Sequence, residues 1–123
     1  MTMQAAPEKD FKLSLGGTRL SRANLQGADL SFVRAARVDL REANLRDAVL
    51  EGIDLQSADL SGANLTGANF QNANLRLAQM KDCELRGANF DGADIRGADL
   101  TSAKGSTTDQ FANAIKDHDT RLP

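Results

Sequence analysis

From residue 20 onward every fifth residue is apolar, and five is a period that neither a helix nor a plain strand can use. The series runs Leu20, Leu25, Leu30, Ala35, Leu40, Leu45, Leu50, Leu55, Leu60, Leu65, Phe70, Leu75, Met80, Leu85, Phe90, Ile95, Leu100, and Leu15 extends it backwards. Helical faces recur every 3.6 residues and strand faces every two. Two residues before each centre sits a small or modest apolar residue, most often Ala, as at Ala43, Ala58, Ala63 and Ala68. The minus-two and centre residues therefore share a side as in a strand, and the two residues that follow must turn the chain before the pattern restarts. Eight of the ten glycines fall at the second of those turning positions. Each five-residue unit is one short side plus one corner.

Identical sides and corners wind into a solenoid whose stacked coils bond at the sheet spacing of about 4.8 Å. Four sides close a coil of twenty residues and three sides a coil of fifteen, and the period alone admits both. Twenty would stack Phe70 on Phe90, Arg76 on Arg96 and Gly67 on Gly87. With five Phe and no Trp or Tyr the interior has to be narrow, filled by Leu and Ala. Burying each Leu or Phe centre contributes about 1.5–3 kcal/mol, enough together to hold a short solenoid without a cofactor. Ala35 is small for a centre, but its neighbours Val33 and Val38 are larger than the usual Ala, so volume is exchanged.

The units Ala-Asp-Leu-Ser-Gly, Ala-Asn-Leu-Thr-Gly and Ala-Asn-Phe-Gln-Asn, residues 58 to 72, resemble the pentapeptide-repeat family, summarised as A(D/N)LXX. The resemblance spans about residues 13 to 104. It implies an all-β solenoid, a right-handed quadrilateral β-helix, and so favours twenty over fifteen. About four and a half coils would make a rod on the order of 20 Å long. Residues 1–12 form an N-terminal segment outside it, expected to be partly mobile, although Phe11, Leu13 and Leu15 alternate as at the start of a strand. Residues 105–123 form a cap and tail. There Thr107 and Gln110 have the spacing of a capping box that opens a short helix. Phe111 and Ile115, four apart, would share one face of it. That face can plug the last coil or pair two copies, so a homodimer through the tail is one expectation. The stretch from Thr108 through Pro123 resembles tails that follow the repeats in bacterial family members.

The inventory of reactive groups is short. One Cys excludes an internal disulfide and an all-cysteine zinc site, and the lone His118 has no matching partner for metal or base chemistry. Cys83 stands where Ala is usual and reads as a small buried hydrophobe, with a redox role as the alternative. The recurring Asn and Asp between minus-two and centre suggest metal ligands or carboxylate pairs at first sight. A residue type repeated on every side reads better as scaffold, its side chain bonding the nearby backbone in a turn. No cofactor, metal site or catalytic residue is expected, and the chain is not expected to be an enzyme. No apolar run reaches the roughly 18 residues of a membrane span, and Met1 to Lys12 lacks the apolar stretch of a secretion signal, so a cytoplasmic location is expected.

Function must then come from the outer faces. The face centred on Leu30 carries Asp29, Glu51 and Asp91 with no base, and also shows Phe32 and Val49. The face centred on Ala35 carries Arg34, Arg37, Arg76 and Arg96 against Asp54 and Asp94, with Leu77 at a corner. The faces centred on Leu20 and Leu25 are mixed. This pattern predicts a non-enzymatic interaction or scaffold module with an unknown protein partner. The resemblance brings in a second reading, mimicry of DNA toward gyrase or another topoisomerase, but mimicry asks for a strongly negative rod. Fifteen Lys and Arg against seventeen Asp and Glu give a net charge of only -2, and the corner positions carry more bases than acids. Nucleic acid itself is a poor fit, since four Arg beside two Asp come with no Tyr or Trp for stacking.

Overall fold

The computed structural model describes residues 13–123; the expectations for residues 1–12, Phe11 among them, lie outside these. The described chain winds into coils of twenty residues. Each minus-one residue from Ser14 to Glu84 makes a parallel bridge to the residue twenty further on, as in the column Arg19, Asp39, Asp59, Gln79, Asp99. Every side has one such bridge, because two of its five residues are used to turn. Above and below the bridge the ladder is regular: Leu40 N–H donates to the Asp59 carbonyl at 2.8 Å and Asp59 N–H to the Val38 carbonyl at 3.0 Å.

The corners explain the glycines. In each, the centre carbonyl accepts from the N–H three residues on, as Leu65 does from Ala68 at 3.0 Å, and the second turning residue has a left-handed φ. Gly67 has φ 71° there, but Phe32 at 61° and Leu77 at 60° adopt the same conformation with a side chain.

All centres point inward. From Leu40 to Leu100 none is more than 2% exposed, and the core contains no buried polar or charged residue among those described. Phe70 and Phe90 stack with ring centroids 5.1 Å apart and planes within 6°, the pairing a coil of twenty requires. Ala35 is buried together with Val33, Val38 and Ile53, the exchange of volume expected around it. Leu20, Leu25 and Leu30 are partly buried against the core.

The tail departs from expectation. The short helix is one turn of 3-10 helix, Thr108–Phe111, which ends before Ile115. Gln110 does close back on Thr107, its Oε1 accepting from Thr107 N–H at 2.7 Å. Beyond it the chain resumes stacking, with bridges from Asp94 to Ile115 and from Asp99 to Arg121. These are 21 and 22 residues apart, where the repeats keep 20. One extra residue turns every following side chain to the opposite side of its strand. That shift carries Phe111 inward over Phe90, at a centroid distance of 5.2 Å and 3% exposed, and turns Ile115 outward at 48% exposed. The two do not share a face: Phe111 is the lid, and Ile115 faces solvent. Side chains of the tail bond carbonyls of the last coil. Gln110 Nε2 donates to Leu85 and Ala88, at 2.8 and 2.9 Å, and Thr120 Oγ1 donates to Ile95 at 2.9 Å.

Candidate partner-binding faces

Because the backbone columns are straight, outward residues twenty apart lie about 4.8 Å from one another along the rod. All twelve minus-one Asn and Asp residues of the repeats do what the turn reading asks. Each Oδ1 accepts from the N–H two residues on, from Asn24 to Gln26 at 3.3 Å through to Asp99 to Thr101 at 3.0 Å. Asn side chains also link neighbouring coils: Asn44 Nδ2 donates to Asn24 and Gln26, and Asn74 Nδ2 to Asp54 and Gln56, at 3.2–3.3 Å. These groups are engaged as scaffold, and no cluster of possible metal ligands occurs among the described residues.

On the Leu30 face, Val49 bridges Asp29 below and Asn69 above and is 36% exposed. Phe32 is 47% exposed at the corner leading to the next face, its ring resting where a Cβ on Gly52 would stand, 2.3 Å from Phe32 Cε1. Glu51 is half-buried and Asp91 exposed. Asp29 is held by its own turn: Ser31 Oγ donates to it at 2.6 Å and keeps its pKa below the ordinary carboxylate range.

The Ala35 face sorts its four arginines into two kinds. Arg96 grips Asp94 with two bonds, Nε to Oδ1 at 2.9 Å and an Nη to Oδ2 at 2.7 Å, and this lowers the pKa of Asp94. Arg34, Arg37 and Arg76 are exposed, and their guanidinium groups make no ion pair with a described residue. Asp54, the other carboxylate of this face, already accepts from Gln56 N–H and Asn74 Nδ2. Leu77, 54% exposed, lies beside Arg76 at the corner.

The sequence reading placed these arginines on one face but missed the distinction among them. The signal was there: Asp94-Ile-Arg96 and Asp39-Leu-Arg41 put a carboxylate two residues before the arginine, whereas Asn74-Leu-Arg76 puts an amide there. Arg41 indeed grips Asp39 as Arg96 grips Asp94, at 2.9 and 2.8 Å, and its hydrogen bond holds the Asp39 pKa at about 2. Along the corner after the Leu20 face runs an open groove of about 510 Å³, lined by Arg22, Arg41, Glu42, Ser61, Gly62 and Asp82 among others. Arg22 and Glu42 pair across it at 3.1 Å, which leaves the groove mixed in sign.

Cys83 is fully buried, its thiol donating to the Leu60 carbonyl at 2.9 Å. Burial pushes its pKa up to about 12. A thiol that stays protonated is a poor nucleophile and a poor metal ligand.

Short sides joined by corners and stacked at twenty residues define a quadrilateral β-helix. The sequence comparison assigns the family: the pattern described as pentapeptide repeats matches in eight copies, over residues 13–41, 36–72 and 63–101, and the chain belongs to the pentapeptide-repeat family. Members are right-handed quadrilateral β-helices. A pentapeptide repeat protein from the thylakoid lumen of Arabidopsis thaliana is 32% identical, with a TM-score of 0.63 over 80% of this chain and 71% of that one. One from Nostoc PCC 7120 is 30% identical over 91% of both chains, with a TM-score of 0.43. The plasmid-mediated fluoroquinolone resistance protein QnrB1 is 22% identical, with a TM-score of 0.38 over 85% of this chain and 77% of that one. No curated protein matches the chain in sequence. Among the described residues no helix is long and apolar enough to cross a membrane.

Proposed function

We propose that this chain is a non-enzymatic interaction module that presents rigid, flat, charge-patterned faces to a protein partner. Pentapeptide repeat proteins are generally structural or interaction modules. The observation that carries the reading is the division of charge between two adjoining faces: Glu51 and Asp91 on one, and on the other Arg34, Arg37 and Arg76, which make no ion pair with a described residue. A packed interior fixes these groups at sheet spacing, so a partner meets them without having to order the backbone beneath.

The test is cross-linking capture from native lysate with three baits: the parent, Arg37→Gln with Arg76→Gln, and Glu51→Gln with Asp91→Asn. A protein held by the parent and lost with one altered face supports the module. Capture that is the same with all three baits argues against it. Pairing of two copies through the tail belongs to the same proposal in a narrower form. With Phe111 occupied inside its own chain, such pairing rests on the exposed Ile115 and Leu122, and light scattering decides it. The expected cytoplasmic location is likewise proposed, with cell fractionation as its check.

A further inference from the structure

We infer that the Ala35 face is a docking strip for a short acidic protein segment with one apolar anchor residue, laid along the rod. The inference rests on the module reading and narrows it to one face and one kind of partner.

Three features of that face point the same way. First, Arg34, Arg37 and Arg76 make no ion pair among the described residues and are exposed, while the carboxylates of the face are engaged, Asp94 by Arg96, Asp54 by Asn74 and Gln56, and Asp117, over Gly97, by the N–H groups of Gly97 and Asp119. These three arginines therefore have no carboxylate bonded to them among the described residues. Second, Leu77 stands beside Arg76 with 54% of its surface exposed. Its backbone is fixed at φ 60° and its side chain lies over Gly97, so the apolar contact is set in place before a partner arrives. Third, Arg37 and Arg76 are two coils apart, about 9.6 Å along the axis at the sheet spacing, and an extended segment covers that distance in about three residues. A segment with carboxylates spaced along it can therefore reach both guanidinium groups while an apolar residue at its Arg76 end meets Leu77, which stands on the same coil as Arg76.

The adjoining Leu30 face narrows the choice of ligand. Asp29, Glu51 and Asp91 lie around the next corner with no base among them. They repel any polyanion broader than one face, which disfavours nucleic acid and favours a narrow peptide. The chain also has no Tyr or Trp on which bases could stack.

The test is fluorescence anisotropy with a labelled peptide of spaced glutamates with a leucine toward one end, against the full chain. Binding should weaken as salt is raised, since the pairs are exposed. Arg37→Gln with Arg76→Gln should weaken it roughly three- to tenfold, as expected for losing two exposed charge pairs. Leu77→Ala should weaken it about twofold or more, in line with losing part of a buried leucine. Unchanged thermal midpoints would show that these surface variants still fold. Glu51→Gln with Asp91→Asn should bind at least as well as the parent. Three outcomes overturn the inference: no saturable binding of the peptide, equal loss in the acidic-face variant, or tighter binding of a single-stranded oligonucleotide of the same charge. A lysate partner lost only with the acidic-face bait would sink this strip and leave the module reading standing.

Discussion

Leu77 lies across Gly97 so closely that a Cβ on residue 97 would stand 2.7 Å from Leu77 Cδ2. The same relation joins Phe32 to Gly52, Asp47 to Gly67 and Asn72 to Gly92, each corner side chain resting on a glycine twenty residues later. Many of the glycines thus serve twice, supplying a left-handed φ and leaving room for the corner below.

Gly97→Ala should therefore destabilise the fold by about 1–2 kcal/mol, the usual range for a side chain in left-handed conformation, with Leu77 displaced from its corner. Leu77→Ala in the same background should recover the contact part and leave the conformational part. A double-mutant cycle by urea unfolding measures both. Strict additivity would show that the two residues do not touch.

The tail makes a second prediction. Phe111→Ala removes a buried ring from the end of the core and should cost about 3–5 kcal/mol if the site does not collapse. Ile115→Glu changes an exposed residue and should stay within about 0.5 kcal/mol. Equal effects of the two on the thermal midpoint would contradict the shifted register.

Cys83 should be inert toward a thiol reagent in the folded protein at neutral pH. With its pKa raised to about 12 by burial, labelling should require unfolding, and its rate should rise with denaturant. Rapid labelling without denaturant would place the thiol outside the core.

Asp39 should titrate with a midpoint near 2, because the Arg41 hydrogen bond stabilises its charged form. Its native pKa lies below the unfolded value of about 3.9, so its contribution to stability is present above pH 4 and is lost as pH falls from about 4 to 2. Carboxyl NMR shifts check this, and Arg41→Gln should return the midpoint toward the ordinary range. An unchanged midpoint in that variant would remove Arg41 as the cause.

Purified gyrase should supercoil DNA at the same rate with or without micromolar amounts of this protein. The face without bases offers only three carboxylates, and an arginine-bearing face adjoins it. Potent inhibition, or relief of quinolone poisoning, would instead support mimicry.

The spacing of Leu, Ala and Gly made most of the fold legible, because one period determines which residues point inward and where the chain turns. Phe70 over Phe90 even carried the coil length. The tail was not legible: two added residues shift its pairing to 21 and 22, and no repeat marks where they enter. Phe111 and Ile115 looked like one helical face because spacing of four has that meaning only in a helix. At the candidate faces, placement could be read from the column arithmetic, and charge availability only in part, from local triplets that the column count passes over. Arg96 and Arg76 differ by the side chain two residues earlier, whereas Arg22 pairs with Glu42 on the next coil.

The twenty-residue stacking also governs how the molecule comes apart. Among the described residues, backbone bonds between coils join residues about one coil apart, so each coil is stabilised by its immediate neighbours. Folding can then nucleate wherever two coils first meet, and propagate in both directions. Amide exchange should be slowest around Leu60 and Leu65, and opening should proceed coil by coil from the ends. A defect at Gly97 would loosen the Phe111 lid long before it reached Leu45.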